Sequence, residues 1–82
     1  MTVEAKFNNT ELAGKLRDGP YELPETATVA TLLETAQREA NHELTQQQKN
    51  SLVFIYNNAH ATYDTELQHG GKLRILHLIL GG

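Results

Sequence analysis

The stretch TVATLLETAQREAN, residues 28–41, decides the fold. Val29, Leu32, Leu33, Ala36 and Ala40 recur at i, i+3, i+4, i+7 and i+11. On a helix that spacing makes one apolar stripe and leaves Glu34, Gln37 and Arg38 on the polar side. Thr28 is the expected N-cap, because its hydroxyl can accept a first-turn N–H that has no partner within the helix. Glu34 and Arg38 stand four apart in the order that favours an ion pair. The helix is expected to end near Asn41.

The segments on either side read as strands and turns. TVEAKF, residues 2–7, alternates and puts Val3, Ala5 and Phe7 on one face of a half-buried strand. NNTELAGKLRDGP, residues 8–20, is rich in turn formers and is expected to be a loop tacked down by Leu12 and Leu16. PYELP can form a short second strand with Tyr21 and Leu23 on one face. Pro24 ends it, since proline donates no ladder bond. After the helix, TQQQKN (45–50) reads as a polar connection.

SLVFIYNN, residues 51–58, is apolar without interruption from Leu52 to Tyr56. Such a run is expected to be central and buried on both faces. Asn57 and Asn58 then suggest a tight turn, because asparagine tolerates positive φ. AHATYDTELQHGG is a short return strand or loop, with a turn at Gly70–Gly71. KLRILHLIL is the last strand.

The order is strand, strand, helix, strand, short return, strand. This predicts an α+β fold, a ubiquitin-like β-grasp, with a mixed sheet of four to five strands and one main helix packed across it. In that arrangement the first and last strands are parallel neighbours. One domain spanning 1–82 is expected, with a flexible C-terminal tail at about 77–82.

Composition narrows the chemistry. The chain has 82 residues, so it holds one core and has little room for an enclosed active site. It has no cysteine, which removes disulfides, thiolate metal sites and cysteine catalysis. Ten acidic against seven basic residues give a net charge of −3, which argues against nucleic acid as a partner. No run of 18 apolar residues and no secretory pattern is present, so no membrane contact and a cytoplasmic location are expected. His42, His60, His69 and His77 lack metal-ligand spacing and are expected at the surface or at strand edges. The acidic pairs Glu22/Glu25 and Asp64/Glu66 are expected to be solvated charges. Gly70–Gly71 precedes no helix, so it is a turn and not a phosphate loop.

The ending, RILHLILGG, is the functional question. Glycine weakens a strand interior and buries no side chain. At a background of about 7% glycine, a pair at a fixed end arises by chance roughly once in 200 chains. Two residues without Cβ let a backbone approach another surface closely. From His77 to Gly82, six extended residues span roughly 20 Å, at about 3.3–3.6 Å each.

Residues 51–82, SLVFIYNNAHATYDTELQHGGKLRILHLILGG, together with ELPETATVATLLETAQ (22–37), resemble the sulfur carriers related to the small subunit of molybdopterin synthase and to the thiamine-pathway sulfur carrier. The resemblance implies that the chain is not an enzyme by itself, binds no cofactor and has no catalytic residue. It implies that Gly81 and Gly82 form the sulfur-carrying terminus. An E1-like adenylating enzyme that uses ATP would activate Gly82, and a thiocarboxylate on Gly82 would pass sulfur to a large synthase subunit or another acceptor. His69-Gly70-Gly71 departs from the family's Asp-Gly-Asp turn, and His77-Leu78-Ile79 from its proline pair. Length points to molybdopterin; tungsten cofactor, thiamine and cysteine synthesis stay open. Two alternatives stand beside the carrier: a ubiquitin-like modifier conjugated through Gly82, and a β-grasp binding module with a passive tail.

The last strand has two sides. Leu73 and Ile75 are expected to face the helix. Arg74, Leu76, Leu78 and Leu80 are then expected on the open side of the sheet, as a partner-docking surface. Burial of that side by the fold itself, or in a homodimer, is the competing expectation.

Overall fold

The structure is a computed structural model that describes residues 1–8 and 15–77. Five strands and two helices follow in the order β1 (Thr2–Phe7), β2 (Gly19–Glu22), α1 (Val29–Ala40), α2 (Gln46–Asn50), β3 (Leu52–Tyr56), β4 (Ala59–Ala61) and β5 (Lys72–His77). The sheet order is β2-β1-β5-β3-β4. β1 and β5 are parallel, with Ala5 opposite Leu73 and Phe7 opposite Ile75; the other three pairings are antiparallel. This is the expected mixed β-grasp sheet, with β5 at its centre.

The core lies between α1 and one face of the sheet. Val3, Ala5, Phe7, Tyr21, Leu73 and Ile75 meet Val29, Leu32, Leu33 and Ala36 there. Leu16 and Leu23 are also buried, as their patterns predicted; Leu12 lies outside the described residues. Leu44 and Leu67, in connecting segments, close the core's ends. Their burial was not legible from periodicity, because neither belongs to a periodic run.

The α1 caps formed as expected. Thr28 and Thr31 make a reciprocal capping box, and Asn41 closes the helix at φ 49°. The next two helical N–H groups are taken by the loop after β4: Val29 donates to Thr65 O at 3.0 Å and Ala30 to Tyr63 O at 3.1 Å. That loop therefore docks by main chain on the helix N-terminus. The Asn57–Asn58 turn joins β3 to β4 with φ of 50° and 68°, the pair of positive values a two-residue hairpin needs.

Three expectations need correction. Residues 45–50 are not a plain connection: Thr45 caps a helical turn, α2, by a capping box with Gln48. The Glu34–Arg38 pair gives way among the described residues to an Arg17–Glu39 ion pair at 3.1 Å, about half exposed on both sides. An ion pair so exposed contributes ~0–1 kcal/mol. And β3 is not buried on both faces. Only Phe54 is buried; Leu52, Val53, Ile55 and Tyr56 are half-buried. The strand lies one place from the sheet edge, and the layer of α1 covers one face only.

Candidate docking face and carrier terminus

β5 carries the described part of the candidate site. Its odd residues, Leu73 and Ile75, are buried under α1, and its even residues point to the opposite face. Arg74 is exposed and Leu76 half-buried on that face, as expected. Leu78, Leu80, Gly81 and Gly82 lie outside the described residues. His77, placed at the start of the tail, is the last residue of β5.

Strand register brings further residues to the same face. Across β3, Val53 stands opposite Leu76 and Ile55 opposite Arg74. Across β1, Lys6 stands opposite Arg74 and Glu4 opposite Lys72. The face is thus divided along the strands. Val53, Ile55 and Leu76 form an apolar patch. Lys6, Lys72 and Arg74 lie beside it, and Glu4 and Glu22 lie toward the β2 edge. A shallow concavity runs over β5 between Lys6 and Ile55, lined also by Lys72, Arg74, Asn57 and Asn58.

Val53, Ile55, Lys6 and Lys72 were missing from the candidate residues. The uninterrupted run Leu52–Tyr56 concealed the first two. The signal that could have found them is the presence of only one long helix: one helix covers one face, so alternate residues of every strand stay on the other. The two lysines needed the β1–β5 register.

The histidines divide in a way not expected. His60 and His69 are exposed, and His69 Nδ1 accepts the Thr2 N–H at 3.0 Å. His42 and His77 are instead half-buried, with His42 Nε2 and His77 Nδ1 shielded from solvent and without a partner among the described residues. His77 sits inward because it pairs with Leu52 on the side of β5 that faces the helices. Glu22, Glu25, Asp64 and Glu66 are exposed, as expected. Among the described residues no three histidine or acidic side chains are grouped to hold a metal ion.

The parallel pairing of the first and last strands, α1 packed across one face of the sheet and the opposite face left open among the described residues define a protein of the ubiquitin-like β-grasp class. The ThiS family model matches residues 8–82, and the chain belongs to the ThiS family. It is thus one of the small carrier proteins, which are not catalytic by themselves. No match emerged among curated proteins. Solved structures share the fold. Small archaeal modifier protein 1 of Haloferax volcanii is 19% identical, with TM-score 0.71, over 95% of this chain and 98% of that one. A putative molybdopterin converting factor subunit 1 from Pyrococcus furiosus is 23% identical, with TM-score 0.69, over 96% and 99%. A chain in the complex of subunits 1 and 2 of the molybdopterin-converting factor from Helicobacter pylori is 18% identical, with TM-score 0.56, over the full length of both. Among the described residues no helix is long and apolar enough to cross a membrane.

Proposed function

We propose that this chain carries sulfur as a thiocarboxylate on Gly82 for cofactor synthesis of the molybdopterin type, in the cytoplasm. The observation that carries the reading is the family match, which runs through to Gly82. A free carboxylate is a poor electrophile. An adenylating partner would let the Gly82 carboxylate attack the α-phosphate of ATP, with release of pyrophosphate. Sulfide, or a persulfide whose S–S bond a thiol then reduces, would attack the acyl carbon and expel AMP. The chain supplies no group to these steps except its own terminus, which suits a protein without cysteine. The complex known for the Helicobacter pylori subunits supports a larger subunit as sulfur acceptor.

The test is mass spectrometry of the C-terminal tryptic peptide ILHLILGG, residues 75–82, from protein made beside its native neighbours. An oxygen-to-sulfur exchange on Gly82 that an alkylating agent traps is the expected result. A plain carboxylate that persists with the adenylating enzyme and ATP supplied would refute it. A second reading, conjugation through Gly82 to lysines, draws on the fold shared with the archaeal modifier. It predicts Gly82-linked adducts on other proteins in the same sample.

A further inference from the structure

The turn His69-Gly70-Gly71 feeds β5, and the side chain of its first residue makes a contact that a turn does not require. The Thr2 N–H donates to His69 Nδ1 at 3.0 Å. Main chain continues the contact: the Gly70 N–H donates to Thr2 O at 2.8 Å and the Glu4 N–H to Gly71 O at 2.9 Å. The pairing of β1 with β5 begins only at Glu4 and Lys72. The His69 ring therefore stands in for a ladder partner and ties the head of β1 to the turn. The same head is held from the other side, where the Thr2 hydroxyl donates to Glu22 and the Leu23 N–H donates to Met1 O at 2.8 Å.

We propose that His69 is a proton-operated clip: neutral, it fixes the head of β1 to the turn before β5; protonated, it lets Thr2 go. A backbone N–H can only donate, so Nδ1 must offer its lone pair and the ring proton must sit on Nε2. The doubly protonated ring has no lone pair left, and N–H would then face N–H. Histidine is the side chain that changes charge between about pH 5 and 8. His69 is exposed, so a proton reaches it from water without unfolding. The charged groups on the elements that meet there are the Met1 ammonium, Glu4 on β1, Glu22 on β2, and Glu66 and Lys72 on either side of the turn. Among the described residues none of these carboxylates pairs with His69, and the Met1 ammonium donates to Leu23 O at 2.7 Å. No ion pair holds the charged ring where the neutral one stands. The main-chain bonds of Gly70 and Glu4 remain, so the release stays local and the sheet stays folded. The device is independent of what Gly82 carries.

The experiment follows the full chain by NMR from about pH 8 to about pH 5, the range in which histidine titrates. Long-range proton–nitrogen spectra report which His69 ring nitrogen carries a proton, and the Thr2 amide shift reports its hydrogen bond. At the upper end the proton is expected on Nε2. As the ring takes its second proton, the Thr2 amide should move with the same midpoint. Hydrogen exchange at the Gly70 and Leu23 amides, corrected for the intrinsic effect of pH, should quicken about fivefold or more, the weight of one net hydrogen bond. His69→Asn is the rescue: its Oδ1 lies as many bonds from Cβ as Nδ1 does and accepts at every pH. Its Thr2 amide should stay bonded and unmoved throughout, whereas His69→Ala should lack the bond at every pH. Glu22→Gln keeps an acceptor for the Thr2 hydroxyl and should leave the wild-type response in place. Thermal melts check that each variant is folded. A proton on Nδ1 at the upper end, a Thr2 amide that stays fixed while the ring titrates, or exchange that does not quicken would each overturn the proposal. So would a response that persists in His69→Asn, or one lost in Glu22→Gln, which would assign it to that carboxylate.

Discussion

Replacing Gly71 by alanine tests how β5 is anchored to the rest of the sheet. Gly71 is buried just before β5, and its φ lies outside the left-handed region, so its backbone suits any residue. The obstacle is space. A Cβ there would stand 2.6 Å from Cε1 and Cζ of Tyr56 and closer still to the hydroxyl. Carbon atoms pack at about 3.5–4.0 Å, so the ring must move by about 1 Å or more. The ring is not free to move. Its hydroxyl accepts the Gln68 N–H at 2.8 Å and donates to Gln68 O at 3.3 Å. Overpacking costs about 1–3 kcal/mol, and the shorter hydrogen bond adds about 1 kcal/mol. Gly71→Ala should therefore destabilise by about 2–4 kcal/mol, a fall in Tm of about 8–30 °C for a domain of this size. Urea and thermal unfolding measure it. Tyr56→Ala removes the obstacle, and on that background the same substitution should cost less than about 0.5 kcal/mol. Gly70→Ala is the contrast: nothing lies within 4 Å, but φ is +83°, so it should cost about 1 kcal/mol through the backbone on either background. A native-background cost below about 0.5 kcal/mol for Gly71→Ala, or equal costs on both backgrounds, would refute the packing argument.

Further outcomes can be checked on the same material. Thr28→Ala removes the α1 cap and should cost about 1 kcal/mol in urea unfolding, whereas Leu32→Ala, fully buried, should cost about 2–5 kcal/mol. Burial raises the pKa of Tyr21 above the usual phenol value of 10.0, with Arg17 partly opposing it, and burial alone raises that of Tyr63. A phenol whose folded pKa is raised stabilises the fold fully below the unfolded value, and that contribution is lost as pH rises through the folded one. Stability should therefore decline above about pH 10, and the late phases of an ultraviolet phenolate titration should disappear in Tyr21→Phe and Tyr63→Phe. Deleting Gly81 and Gly82 should leave the melting curve unchanged and abolish sulfur transfer; retained transfer would favour the passive-tail binding module.

What the sequence determined by itself was local. The stripe from Val29 to Ala40, the Thr28 cap and the Asn57–Asn58 turn are set by residues a few positions apart, and each formed as its pattern required. The core faces of β1 and β5 followed from alternation, because side chains of a strand switch sides at every residue. The Gly-Gly terminus was singled out from the sequence as a candidate chemical handle, and Gly81 and Gly82 lie outside the described residues. Helix α2 was hidden because its five polar residues carry no periodicity; Thr45 and Gln48 settle it through a capping box. Which residues join Arg74 and Leu76 on the open sheet face was decided only by tertiary structure. Whether Val53 and Ile55 are core or surface depends on which layers cover β3, and a continuous apolar run reads the same in either case. Lys6 and Arg74 are 68 positions apart along the chain and become neighbours only because β1 and β5 pair in parallel at one register. Long-range pairing, which no local pattern encodes, is what turns scattered cations into a groove.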